Sequence, residues 1–406
     1  KSLPSATEGL NLALVGNVGV LEKQNVFDGD LSPLGKEDTS HIQFSSGSTR
    51  NPLGVLISQK SMMANARSVA LHGLEFNTYD RVASWLPFYH DMGLIGFLLI
   101  PMTSQMSIDY QHTDGFARRP LSWLKMISDN KATITYSPTF GYEICSRRAS
   151  RLEGMEIDLS CLRVAGIGGE MVQPEVLAEF SEIFSAHGFD PKAFVPSYGM
   201  AEATLALSFS PLRQGVLEDV VNREALIDDA VAEKALNPNP KANGNQVGNN
   251  DANEKGLISL CKDIRVFAKC GRALPGYEME IRDEDGNTLA DRKVGTIFVK
   301  GPSLMTCYDK NPDATNEVLS PDGWLNTGDM GYMVDDMLVI TGRCKDLIII
   351  NGRNIWPQDL EWHVEENVEP LKSRSTRMNF SSMWLASSSP GGARLRRNRN
   401  PLRPIP

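Results

Sequence analysis

Between His41 and Ser210 the chain alternates two kinds of segment. Short apolar runs (VASWLPF, KATITYSP, CLRVAGIGG, AFVPSYG) are separated by stretches of helical character such as KSMMANARSVALHGLEF and PEVLAEFSEIFSAHG. Strands that alternate with helices build a layered α/β architecture. With 406 residues the chain is long enough for two or three domains.

The pattern breaks at both ends and once inside. Residues 1–40 are Gly-, Asp- and Ser-rich and weakly patterned, and read as the remnant of a preceding N-terminal region. Residues 237–256, NPNPKANGNQVGNNDANEKG, hold almost no apolar side chain. Such a segment buries too little surface to offset its ordering entropy and is expected to be a disordered insertion. Then the chain turns β-rich: YEMEIRDEDGNTL reads as a hairpin turning at Asp285-Gly286, VGTIFVKG and MLVITG as strands, and DLIIING as a buried strand ending at Asn351-Gly352. After Ser373 the composition changes: residues 374–406 hold seven arginines and no Lys, Asp or Glu. That stretch reads as out-of-frame translation, ahead of the alternative of a disordered basic tail touching RNA or anionic lipid.

Charge and cysteine usage exclude some functions. The net charge of −9 argues against a nucleic-acid binder. The longest apolar run, Gly93–Met102, contains a proline and is too short to be an integral membrane segment. The six cysteines form no C-x-x-C pair, as expected of a reduced, cytoplasmic chain without a disulfide frame or zinc site.

Four separated motifs carry the chemistry. In HIQFSSGSTRNPLGV (41–55), Ser45, Ser46, Gly47, Ser48 and Thr49 offer backbone N–H groups and hydroxyls that can wrap a phosphate. The spacing differs from the G-x-x-x-x-G-K-[ST] loop, and Leu53 stands where a lysine would be sought. Taken alone, this stretch is better read as a Ser/Gly-rich surface turn. It is followed by PSYGMAEATLALSF (196–209), with Tyr198 and Glu202 around Gly199: an aromatic face that can stack on a base and a carboxylate that can hold Mg²⁺. GWLNTGDMGY (323–332) places Asp329 in a Gly-flanked turn, and TGRCKDLIIINGRNIWPQDLE (341–361) comes last.

In this order the motifs resemble the adenylate-forming superfamily, and within it the fatty acyl-AMP ligases. SSGSTRNPLG carries Arg50 and Leu53 where acyl-CoA synthetases usually have Gly and Lys; WLPFYHDMGLIG (85–96) and GRNIWPQDLE (352–361) match that branch's wording. The resemblance covers about residues 41–372. It implies an α/β large domain with a small β-rich subdomain over 41–342, and a hinge with the start of a C-terminal domain over 343–373. The implied reaction uses ATP and Mg²⁺ to convert a fatty acid to acyl-AMP, releasing pyrophosphate, and passes the acyl group to the phosphopantetheine arm of an acyl carrier protein.

The implied roles follow the motifs. Ser45, Ser46, Gly47, Ser48, Thr49 and Gly54 hold the β- and γ-phosphates, and Glu202 binds Mg²⁺. Tyr198, within Ser197–Met200, packs on the adenine, with Gly168, Gly169 and Glu170 on its other side. Asp329 accepts from the ribose hydroxyls and Arg343 assists; His90 stands where nucleotide and acyl sites join, and Met92, Leu94 and Ile95 line the acyl tunnel. His90 also reads as a core histidine, Leu94 and Ile95 as plain core, and Trp85 and Trp356 as packing.

The family's C-terminal domain ends near a lysine that reaches the α-phosphate, whereas the last lysine here is Lys372. The reading therefore expects an impaired fragment. Its alternatives are a fatty acid–CoA ligase, a degenerate domain that binds ATP or acyl-AMP without turnover, and a product that does not fold.

Overall fold

The computed structural model describes residues 33–45, 52–152, 154–235, 264–350, 353–355 and 357. From Leu34 these fall within one compact unit, Leu34–Trp362. The expectations for residues 1–32, 237–256 and 358–406, for Asn351-Gly352 and for Trp356 lie outside the described residues.

In chain order the strands are β1 Thr39–Phe44, β2 Gly54–Ser58, β3 Arg81–Ser84, β4 Ser107–Tyr110, β5 Ile134–Ser137, β6 Val164–Ile167, β7 Phe194–Gly199, β8 Ala206–Phe209, β9 Glu218–Asn222, β10 Ile264–Ala268, β11 Arg272–Ala273, β12 Glu278–Arg282, β13 Gly295–Lys300, β14 Cys307–Tyr308, β15 Leu325–Val334, β16 Met337–Arg343, β17 Ile348–Ile350 and β18 Arg353–Ile355. The helices needed below are α1 Gln59–Ser68, α2 Asp91–Leu94, α3 Leu121–Asn130, α4 Thr139–Arg147 and α5 Pro174–Phe184.

The four apolar runs become β3, β5, β6 and β7, neighbours in a seven-stranded sheet ordered β11-β8-β7-β6-β5-β3-β4. β4, β3, β5, β6 and β7 run parallel, while β8 and β11 extend the sheet antiparallel. Helices cover both faces, giving the expected α/β/α layering. On one face an aromatic cluster fills the core: Tyr142 of α4 meets Trp123 of α3, Phe180 of α5 and Phe194 of β7 at centroid distances of 5.3, 5.1 and 5.2 Å. Such tilted and edge-on pairs add to the stabilisation that burial alone supplies. Trp85 is fully buried and stacks on Phe116 at 3.9 Å, the packing role its sequence context suggested.

On the other face lies α1. Ser58 caps its N-terminus, accepting from the Ser61 N–H at 3.1 Å. Asn65, fully buried on this helix, donates to the Ala206 carbonyl (2.8 Å) and accepts from the Ala206 N–H (3.2 Å), which locks α1 to β8. A π-helical turn, Val69–Gly73, continues α1, and a second, Ile95–Leu99, continues α2. Both lie over the sheet beside the cavity described below, where such turns are often functional.

The β-rich part forms a four-stranded antiparallel sheet ordered β12-β13-β15-β16. The Asp285-Gly286 turn is there, with Gly286 at φ +84 and its N–H donating to the Asp283 carbonyl (3.1 Å). The return arm makes a single bridge, Arg282 to Thr288, and β12 pairs along its length with β13 instead. β17 forms a short hairpin with β18, and Ile348, expected in a buried strand, is 38% exposed. A short apolar run such as residues 347–350 cannot by itself distinguish a covered strand from a hairpin arm. β9 and β10, which the sequence pattern did not suggest, pair antiparallel and bring together the chain on either side of residues 236–263.

Candidate functional site

At the C-terminal edge of the parallel strands a cavity of about 500 Å³ opens, the position where open α/β sheets bind ligands. β6 delivers Gly168 and Gly169, and β7 delivers Ser197, Tyr198 and Gly199, all lining it. The chain then turns tightly back into β8. The Met200 N–H donates to the Leu205 carbonyl at 2.8 Å, and a Cβ on Gly199 would stand 1.8 Å from that same oxygen. Only glycine allows this closure. Inside the turn, Thr204 adopts φ +71, a left-handed value that is strained for a β-branched residue, and its hydroxyl is tied to the Ser303 carbonyl at 2.7 Å. The turn holds Glu202 at the cavity wall.

Glu202 is 9% exposed and accepts from the Tyr308 hydroxyl at 2.8 Å. Burial pushes its carboxyl above the usual glutamate value, and the nearby carboxylates Asp91 and Asp329 push the same way against the Tyr308 hydrogen bond. Asp329 faces it from the small sheet. The β15–β16 register sets Asp329 opposite Arg343, with Arg343 Nε 3.2 Å from Asp329 Oδ1. The Tyr198 hydroxyl donates to Asp329 Oδ2 at 2.7 Å. Burial raises the Asp329 pKa even so, while Arg343 and Tyr198 restrain the rise. The Tyr198 phenol is pushed well up, first by burial and then by the Asp329 charge.

The phosphate-loop candidate is visible at its two ends. Ser45 and Leu53 both line the cavity; the Ser45 N–H donates to the Leu53 carbonyl (2.9 Å) and the Leu53 N–H to the Ser45 hydroxyl (3.2 Å). Ser46, Gly47, Ser48, Thr49 and Arg50 lie outside the described residues. Gly54 belongs to β2 and pairs with Phe44, away from the cavity wall.

From this polar end the cavity continues over the sheet face as an apolar arm. Val82, Ile134, Leu74, Phe97, Tyr136 and Phe209 are among its walls. Its width depends on Gly166, whose paired neighbour is Tyr136. A Cβ there would sit 2.0 Å from the Tyr136 ring. Gly166→Ala is therefore expected to push the ring into the arm. Affinity for a non-hydrolysable acyl-adenylate should fall while affinity for AMP holds, as read by titration calorimetry. Equal loss for both ligands would count against this account.

The structure gathers His90, Gly168, Gly169, Ser197, Tyr198, Gly199, Met200, Glu202, Asp329 and Arg343 around one cavity, together with Ser45. Other expected residues fall elsewhere. Glu170 accepts from the Phe140 N–H at 2.9 Å and does not line the cavity. Leu94 and Ile95 do not line it either, and Ile95 is fully buried; Met92, expected with them, does line it, together with Gly96 and Phe97. For Ile95 the π-helical turn that begins there explains the difference, because it rotates the face that a regular α-helix would present, while Leu94 stands two residues from Met92 and faces away from it in any helix. His90 caps α2: its Nδ1 lies 3.2 Å from the Met92 N–H and 2.7 Å from Asp91 Oδ1. Sequence reasoning missed Asp91, Tyr308 and Thr327, the last of which lines the cavity and accepts from the Asp329 N–H at 3.1 Å. Tyr308 arrives through the pairing of β14 with β2 and has no local motif to announce it.

The strand-edge cavity thus carries a carboxylate and an aromatic–carboxylate pair at one end and apolar side chains at the other. The AMP-binding enzyme family model matches residues 10–226, more than half of the chain, and the chain belongs to that family. It is 49% identical over 343 residues to a Caulobacter vibrioides protein named "Putative acyl-CoA synthetase", covering 84% of this chain and 56% of that protein. Among solved structures it is similar to a fatty acyl-adenylate ligase from work on the E. coli and L. pneumophila enzymes: TM-score 0.72, 45% identity, 82% of this chain and 56% of that one. It is also similar to the L. pneumophila fatty acyl-adenylate ligase in complex with acyl adenylate and pyrophosphate: TM-score 0.69, 30% identity, 83% and 56%. The chain thus spans little more than half the length of these proteins. No helix among the described residues is long and apolar enough to cross a membrane.

Proposed function

We propose that the protein activates a fatty acid with ATP, forming acyl-AMP and pyrophosphate, and that an acyl carrier protein receives the acyl group. The observation that carries this reading is the continuity of one cavity from the Glu202–Asp329 end into the apolar arm, which suits a ligand polar at one end and aliphatic at the other. The fatty acid carboxylate is ionised near neutral pH and needs no general base. One of its oxygens bonds to the α-phosphorus of ATP as the bond to the pyrophosphate oxygen breaks. What the protein supplies is position and charge stabilisation.

Asp329, held by Tyr198 and Arg343, is set to accept from ribose hydroxyls. The Tyr198 ring and Gly168–Gly169, which line the cavity, are assigned to the adenine, and Ser45 with Ser46, Gly47, Ser48 and Thr49 to the phosphates. Glu202 fits a Mg²⁺ ligand: it is a buried carboxylate whose pKa is raised by burial and by Asp91 and Asp329, so a cation there is favoured. When bound, Mg²⁺ would neutralise charge on the phosphate oxygens. His90 is assigned to the junction of the polar end and the arm.

The test is pyrophosphate release that requires both ATP and a fatty acid, followed by acyl transfer offered in parallel to CoA and to a phosphopantetheinylated carrier protein. Release driven equally by short polar acids would overturn the fatty-acid assignment. Preference for CoA would favour the acyl-CoA synthetase reading, which the name of the Caulobacter relative supports.

A further inference from the structure

A second cavity, of about 400 Å³, shares part of its lining with the first. Among the described residues lining the two, Phe209 alone belongs to both. The second cavity opens between the end of the first π-helical turn (His72, Gly73) and the segment leaving β8 (Ser210, Arg213), and His72, Arg213 and Arg272 on its rim are exposed. We infer that Phe209 is the partition that limits acyl chain length: its ring ends the apolar arm, and a smaller side chain would open the arm into the second cavity. The inference rests on the fatty-acid reading proposed above.

The geometry makes Phe209 a fixed wall rather than a loose side chain. Its backbone is paired on both sides, with Ser197 of β7 and with Arg272 of β11. Gly271 presses against it from behind at φ +83, where a Cβ would stand 1.8 Å from the Phe209 carbonyl carbon and oxygen. The strand therefore cannot retreat, and adjustment is confined to the side-chain torsions. The ring lies on the bare backbone of Gly73, where a Cβ would stand 2.7 Å from Cε2. Phe209 is only 9% exposed, although two cavities meet at it. Chemically, the arm takes methylene groups, and the second cavity would take the far end of a longer aliphatic chain along Leu212, Leu274 and Pro275, among the polar side chains of His72, Glu75 and Arg213.

The partition is tested by titrating the full chain with acyl-sulfamoyl adenosines of graded saturated chain length. In the wild type, affinity should rise with each methylene up to a limit and then stop rising. In Phe209→Ala the rise should continue past that limit by up to about fourfold for each added methylene, the factor that burial of one such group allows. Phe209→Leu should shift the limit the same way, and it carries the test if the alanine variant does not fold. Gly73→Ala should push the ring into the arm and move the limit to shorter chains. A limit unmoved in the Phe209 variants, or affinity lost equally at every length, overturns the assignment of Phe209 alone. Wild-type affinity that is independent of acyl length, or no binding of any mimic, overturns the fatty-acid reading and the partition with it.

Discussion

Asp329→Ala is expected to weaken binding of a non-hydrolysable acyl-adenylate by about 10- to 100-fold, the range that follows from losing one hydrogen bond to a charged acceptor. The carboxylate is already oriented in the free protein: Tyr198 donates to Oδ2 and Arg343 sits on Oδ1, so no rotamer search precedes ligand binding. Two consequences separate this role from a purely structural one. The alanine variant also removes the Asp329 acceptor from the buried Tyr198 hydroxyl, so its loss combines the ribose contact with a broken internal hydrogen bond. Asp329→Asn keeps an acceptor for Tyr198 but has one acceptor oxygen instead of two, and no charge. If the ribose reading is right, the asparagine variant melts close to wild type yet binds AMP more weakly. The effect should also be confined to ligands that carry ribose hydroxyls, so a 2′,3′-dideoxy nucleotide would bind wild type and Asp329→Ala nearly alike. Equal weakening for the dideoxy ligand would remove the ribose assignment.

How far the sequence could be read depended on how local each signal was. β3, β5, β6, β7, α1 and α5 follow from apolar runs and helical stretches a few residues long, and the α/β layering follows from them. Gly168, Tyr198, Glu202 and Asp329 lie in short motifs, and the fold converges them because β6 and β7 end at the same sheet edge while the β15–β16 register sets Arg343 beside Asp329. Non-local pairing was not legible. Tyr308 reaches Glu202 only because β14 docks on β2, more than two hundred residues earlier in the chain. The place of Ile95 outside the cavity wall has a different cause. A π-helical turn shifts the helical face, and periodicity analysis assumes a regular helix. Phe209 likewise reads as an ordinary strand residue, since its meaning depends on two cavities that the sequence does not display.

Glu202→Gln is expected to melt at a higher temperature than the wild type near neutral pH while losing Mg²⁺-dependent nucleotide binding. The two effects share one cause. Burial raises the Glu202 pKa, with Asp91 and Asp329 adding to the rise, so the folded state holds this proton to a higher pH than the unfolded chain does. Stability from that proton is fully present below the ordinary glutamate pKa and is lost as pH rises through the raised folded value. The wild type at neutral pH therefore carries a desolvated charge whose burden glutamine removes. Glutamine still offers an acceptor oxygen to the Tyr308 hydroxyl, so the turn that ends at Thr204 keeps its anchor. The gap in melting temperature should be wide at neutral pH and close as the pH falls below the ordinary glutamate range, where the wild type is protonated too. Adding Mg²⁺ with ATP should raise the wild-type melting temperature more than that of the variant, because only the wild type offers the cation a full charge. A variant less stable than wild type at neutral pH, or a gap that does not change with pH, would mean that Glu202 is held by its hydrogen bonds rather than burdened by its burial. The expected pattern instead marks Glu202 as a residue kept for its charge at the expense of stability, as active-site carboxylates commonly are.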